Sequence, residues 1–172
     1  MKKLRVLLLA AVLAGCAGHG GGLRVGESTA DDVFIAMGQP AMEWVESDGS
    51  RRLAFPRSPW GVHTYMVDIL PNGVLDRVEN VMTPAAFARV QAGMTTAQIL
   101  HLLGPSISQW SSYYEARDEL VWGWRYCDDW SQLARFFVLF DGTTETVRST
   151  LTLKEDQVGH CVGGLMGCWC SR

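Results

Sequence analysis

The stretch Gly93-Met94-Thr95-Thr96-Ala97-Gln98-Ile99-Leu100-His101-Leu102-Leu103-Gly104 encodes a complete short helix with its own start and stop signals. Thr95 is a good N-cap, and Gln98 stands three places later, so each side chain can serve the other's backbone N–H in a capping box. Ile99, Leu102 and Leu103 then occupy positions i, i+3 and i+4, which gives one apolar face, and Gly104-Pro105 ends the helix. His101 falls off the apolar stripe, at a solvated or rim position rather than a catalytic one.

The same pattern begins at Thr29. Asp32 takes the capping position, Val33, Ala36 and Met37 form the stripe, Gly38 is the stop and Pro40 lies just beyond. From Thr to Gly is nine steps in both copies, displaced by 66 residues, which marks an internal repeat. The segments after the two helices correspond as well. In the first copy Glu43–Glu46, the Asp48-Gly49 turn and Arg52–Phe55 predict one hairpin, and Thr64–Leu70, Asn72-Gly73 and Val74–Val81 a second. In the second copy Gln109–Tyr113, Leu120–Tyr126, Arg135–Phe140, Asp141-Gly142 and Thr144–Leu153 repeat the series. Thr83-Pro84 opens a further short helix, running through Val90, ahead of the second copy.

A two-turn helix has no independent stability, and a four-stranded sheet with one apolar face needs a cover. The expected fold is therefore α+β: two tandem units of helix plus antiparallel sheet, forming a concave sheet with the short helices on one side. The expected boundaries are 23–82 for the first unit and 83–153 for the second.

Gly93-Met94-Thr95-x-x-Gln98-Ile99-x-x-Leu102-Leu103-Gly104, followed by Trp122-x-Trp124-x-Tyr126 and by Val138-x-Phe140-x-Gly142, resembles the SmpA/OmlA (BamE-like) domain of outer-membrane lipoproteins. The first copy departs from it, with Glu27-Ser28-Thr29 in place of Gly-Met-Thr, and two units in tandem are similar to the architecture of β-lactamase inhibitor proteins. The resemblance implies a protein-binding role in outer-membrane protein assembly or envelope integrity, with the β-barrel assembly machinery as partner. The inhibitor-like arrangement implies instead an inhibitor or sensor module that clasps a soluble enzyme of the periplasm.

The N-terminus points to the same compartment. Lys2, Lys3 and Arg5 form a basic segment ahead of the apolar run Val6–Leu13, too short to span a bilayer, so residues 1–15 are expected to be a signal peptide. Leu13-Ala14-Gly15-Cys16 resembles a lipobox, which implies lipidation of Cys16 and a permanent membrane anchor. Ala17 rather than Asp comes next, which by the same resemblance favours the outer membrane. Residues 16–22 then read as a lipidated Cys and a flexible Gly-rich tether.

Without Lys2, Lys3 and Arg5 the 15 basic residues fall to 12 against 18 acidic, a formal charge of −6 with no basic block, so nucleic acid is not an expected partner. Lipidation of Cys16 leaves Cys127, Cys161, Cys168 and Cys170, an even number suited to two disulfides in an oxidising compartment. A Cys168–Cys170 bridge would close a very tight ring, which favours Cys127 pairing with a Cys of the 154–172 tail. A zinc site of His160, Cys161, Cys168 and Cys170 is the alternative, although C-x-C lacks knuckle spacing.

No metal, cofactor or catalytic motif is evident: the sequence holds no G-x-S-x-G, H-E-x-x-H, C-x-x-C or P-loop, so an enzyme is not expected. Asp128-Asp129 reads as a solvated strand-end turn. Two candidate partner-binding groups remain. In Trp122-Gly123-Trp124-Arg125-Tyr126 the alternation sets Trp122, Trp124 and Tyr126 on one sheet face, as core under the helix or as an aromatic surface for a partner, and Arg125 on the other. The loop Phe55–His63 carries Arg57, Trp60 and His63, residue types that dominate binding hot spots.

Overall fold

The computed structural model describes residues 22–57, 61–157 and 170. The expected signal segment, Cys16 and the tether up to residue 21 lie outside these residues, as do Trp60, His160, Cys161 and Cys168.

The chain is α+β. Among the described residues three α-helices, α1 (Ala30–Met37), α2 (Pro84–Phe87) and α3 (Thr96–Leu103), accompany eight strands. These are β1 (Met42–Val45), β2 (Arg51–Pro56), β3 (Thr64–Ile69), β4 (Leu75–Asn80), β5 (Ser112–Tyr114), β6 (Glu119–Cys127), β7 (Leu133–Asp141) and β8 (Val147–Lys154). They form two separate antiparallel meanders, β1-β2-β3-β4 and β5-β6-β7-β8.

Both capping boxes form. Thr29 N–H donates to Asp32 Oδ2 at 2.8 Å and Asp32 N–H to Thr29 Oγ1 at 3.3 Å; Thr95 N–H donates to Gln98 Oε1 at 2.8 Å and Gln98 N–H to Thr95 Oγ1 at 3.3 Å. Caps of this kind contribute about 1 kcal/mol each. Each helix start is also tied to its own sheet. Ala30 N–H meets Gly73 O at 3.0 Å and Leu75 N–H meets Ser28 O at 2.8 Å; in the second half Thr96 N–H meets Glu145 O at 3.1 Å and Val147 N–H meets Met94 O at 2.8 Å. Segment Gln109–Tyr113 departs from the expected strand. Ser108–Trp110 is a 3₁₀ turn, and β5 begins only at Ser112.

The layering differs from a single concave sheet with helices on one side. Side chains alternate across β2 and β3, so Leu53, Phe55, Val67 and Ile69 face one way and pack against Val33 and Met37 of α1. Ala54 and Met66 face the other way and join the core that contains Ile99 and Leu103 of α3. The same helix lies over Trp124, Phe136, Val138 and Phe140 of the second sheet. Thus α1, the first sheet, α3 and the second sheet stack in that order. The physical reason is at the end of α3. Gly104, with φ +73°, has no side chain, and a Cβ there would stand 2.9 Å from Thr64 Cγ2, 3.4 Å from Ala54 Cβ and 3.6 Å from Met66 Sδ. Arg52 completes the junction, donating from Nε to the His101 carbonyl at 2.9 Å and from Nη1 to Asp68 Oδ1 at 2.9 Å. Asp68 also accepts from Arg77, its neighbour in the β3–β4 register.

Candidate functional site

Side chains singled out in the sequence divide into three groups by their surroundings. The first is core. Trp124 and Tyr126 are 1 % and 5 % exposed, so neither offers a partner surface. Trp124 Nε1–H donates to the Gly104 carbonyl at 3.3 Å, which satisfies the one polar atom of a buried indole. Tyr126 meets the edge of Phe87 at 4.8 Å, and Phe87 stacks on Phe136 at 4.0 Å, so α2 covers the same sheet face as α3. Burial raises the Tyr126 phenol above its usual pKa. Trp122, half-buried, packs edge-on against Phe140 at 4.8 Å. The expectation of a partner-binding aromatic face fails for Trp124 and Tyr126 because two helices, not one, cover this face.

The second group lies on the opposite face of that sheet. Arg125 sits directly across from Arg135 in the β6–β7 register, an arrangement of like charges that is costly unless an anion intervenes. Glu155 intervenes, accepting from Arg125 Nη2 at 2.6 Å and from Arg135 Nε at 3.3 Å, with its side chain only 2 % exposed. The Arg135 guanidinium also lies 3.9 Å from the Trp110 ring centroid. Arg125 is therefore engaged in holding the sheet rather than presented to a partner. At the end of β6, Cys127 is bridged to Cys170, and Cys170 N–H donates to Ser131 O at 2.9 Å. That bond selects Cys170 among the tail cysteines and removes its thiolate from the zinc alternative.

The third group stays at the surface. Arg57 is exposed; its N–H donates to the His63 carbonyl at 2.9 Å, and the His63 ring stacks on Tyr65 at 5.8 Å. Burial raises the Tyr65 phenol, and the Arg57 charge partly offsets this.

A further surface with recognition chemistry draws on both halves, and five of its residues, Met94, Ala97, Gln98, His101 and Leu102, belong to the Gly93–Gly104 stretch. Trp44, Arg89, Met94, Ala97, Gln98, His101 and Leu102 line an open groove of about 450 Å³ where the two halves meet. Trp44 points to this side because β1 alternates, placing Met42 and Trp44 on the face of Ala54 and Arg52. Its ring meets the edge of His101 at 5.4 Å. His101 Nε2 and Glu46 Oε1 are 2.7 Å apart, both partly exposed, so the helix of one half is bonded to the strand end of the other. Arg89 Nη2 pairs with Glu79 at 2.9 Å on the rim. Apolar side chains flanked by a cation, an imidazole and an amide suit a protein or peptide side chain. The available signal was Trp44 itself, an aromatic in a strand whose helix partner arrives only in the second half.

Carboxyl groups held below their usual pKa range have structural causes throughout. Asp32 is lowered by the Thr29 N–H, Asp48 by the Ser50 hydroxyl, Asp118 by the Thr143 hydroxyl and Asp141, to about 2, by the Thr144 N–H. Asp32, Asp48 and Asp141 each close a helix start or a turn, and Asp118 joins the Tyr113 phenol to the Thr143 hydroxyl. Asp128 likewise accepts from the N–H groups of Trp130 and Gln132, as its place in a strand-end turn requires. Among the described residues no group of three or more His, Cys, Asp or Glu side chains could hold a metal ion, and no helix is long and apolar enough to cross a membrane. In comparison with known proteins the chain matches no family model, no curated protein and no solved structure.

Proposed function

We propose that this chain is an outer-membrane lipoprotein, anchored through Cys16 on the periplasmic face, that acts without catalysis by binding another protein. Its two halves are read as tandem SmpA/OmlA-like units that build one binding groove at their junction. The observation that carries this reading is the groove around Trp44: Met94, Leu102 and the indole are only partly covered by their own chain, between Arg89 and His101. Partly exposed aromatic and Met side chains ringed by polar groups are the usual anchors of protein interfaces. The partner implied by the family resemblance is the β-barrel assembly machinery. A lipid anchor and a Gly-rich tether would hold the groove at high effective concentration beside such a membrane complex.

The test is site-specific photocrosslinking in native membranes from Ala97, which is exposed and lines the groove, and from Arg57. Adducts from Ala97 to the β-barrel insertion complex, lost on Trp44→Ala with the fold intact, are expected. Adducts only to soluble periplasmic proteins would replace this reading with an inhibitor or sensor role. Cys16→Ala should release the protein from the membrane fraction.

A further inference from the structure

Each sheet ends in two edge strands whose outer N–H and C=O groups need another partner, and natural proteins block such edges with charge, proline, bulges or brevity. Three of the four edges here obey that rule. β1 has four residues and carries Glu43 paired to Arg51, β4 carries Asp76, Arg77 and Glu79, and β5 has only three residues.

β8 does not. It runs for eight residues, and on its outer side only its two ends are tied, Val147 through bonds with Gly93 and Met94, both 2.8 Å, and Lys154 through Gln157, whose N–H donates to Lys154 O at 3.1 Å and whose Oε1 accepts from Lys154 N–H at 3.2 Å. The bulge falls before Ser149; from Leu139↔Ser149 to Arg135↔Leu153 the register with β7 is unbroken. Ser149-Thr150-Leu151-Thr152-Leu153 contains no charge, proline or glycine, and its first four residues are exposed. The flanking cations turn back on their own chain: Arg148 Nη2 donates to Asp141 Oδ2 at 2.6 Å and Lys154 Nζ to Gln132 Oε1 at 2.7 Å. Among the described residues no strand pairs with the outer side of β8.

We infer that the β8 edge, Ser149–Leu153, is a docking site for an extended segment of a partner protein, which adds a fifth strand to the second sheet. Between its tied ends, a row of backbone groups that no described strand pairs with is complementary to another strand and to little else. The side chains specify its pattern. Gly123, Phe137 and Leu151 form one row across the sheet, and Leu151 is 45 % exposed at its open end. A residue placed beside Leu151 gains apolar contact, whereas residues beside Thr150 and Thr152 on the other face meet hydroxyls. The segment therefore alternates apolar and polar residues, as an amphipathic strand does. A second copy fits less well, because two β8 strands paired about Leu151 bring the Arg148 end of each beside Lys154 of the other.

The inference is independent of the Trp44 groove and is tested separately. The probe is a labelled octapeptide alternating valine and threonine, titrated into the full chain by fluorescence polarisation, with the same peptide N-methylated on alternate amides and an all-threonine octapeptide as controls. Saturable binding is expected, weakened at least tenfold by Leu151→Lys or Thr152→Lys, by N-methylation and by loss of the valines, with unchanged thermal melts. Trp44→Ala should leave it unaffected. Equal binding to both edge variants, or to the N-methylated peptide, would overturn the inference. A dimer that dissociates on Leu151→Lys while no peptide binds would overturn it in favour of a second copy.

Discussion

Gly38 and Gly104 occupy corresponding places after α1 and α3, yet alanine should cost more at the second than at the first. Both have positive φ and extended ψ, +85° and −161° against +73° and −174°, a region populated essentially by glycine alone. Substitution there costs about 1–3 kcal/mol at each site. At Gly38 nothing lies within 4 Å of an added Cβ. At Gly104 the methyl would meet Thr64 Cγ2 at 2.9 Å, well inside the ~3.5–4.0 Å of a favourable carbon contact. Ala54 and Met66 stand just behind, all in strands of the other half, so little can shift. Overpacking of this kind adds about 1–3 kcal/mol. Urea denaturation followed by tryptophan fluorescence should therefore place Gly104→Ala about 1–3 kcal/mol below Gly38→Ala. Thr64→Ser removes the crowded methyl while keeping the hydroxyl, so the double variant should recover part of the loss, with a coupling above ~0.5 kcal/mol. Equal losses at the two glycines, or no coupling to Thr64, would refute the packing of α3 against the first sheet.

Three other outcomes are expected. The Asp141 carboxylate, held near pKa 2 against an ordinary 3.8, contributes stability that is complete above pH 3.8 and lost as pH falls through about 2; melting temperatures of wild type should therefore drop more steeply over that window than those of Asp141→Asn, and parallel slopes would contradict it. Glu155→Ala leaves Arg125 and Arg135 opposed without their shared anion and should cost about 3–5 kcal/mol in chemical denaturation. Peptide mapping of the unreduced protein should yield Cys127 joined to Cys170; a bridge across 43 positions is worth about 4 kcal/mol by loop closure, so Cys170→Ser should lower the denaturation midpoint.

Local structure was legible because its signals are local. Thr-x-x-Asp and Thr-x-x-Gln specify caps within a few residues, and Asp48-Gly49, Asn72-Gly73 and Asp141-Gly142 mark the turns between strands that do pair. The stacking was not legible. α3 meets the second sheet through Ile99 and Leu103, which a hydrophobic stripe announces, but its contact with the first adds a glycine, a backbone carbonyl held by Arg52 and the His101 side chain beside Trp44 and Glu46. None of these additions leaves a periodic apolar trace, so the helix reads as one-sided. The groove shares this cause. Trp44 and Leu102 are far apart in sequence, and Leu102 counts as an ordinary stripe residue until the first half is placed beside it.

The layers lie in the order in which the chain is made: α1, then β1–β4, then α3, then β5–β8. A chain delivered N-terminus first can close the face under α1 as soon as β4 is made, because Ala30 and Ser28 bond Gly73 and Leu75. The face bearing Ala54 and Met66 is then uncovered until Thr96–Leu103, a helix too short to persist alone, is available to pack on it. The second sheet then settles over that helix. Assembly in this order is deposition, each layer nucleated by the surface of the one before it, and a pause between residues 82 and 96 would leave an apolar sheet face open to wrong partners.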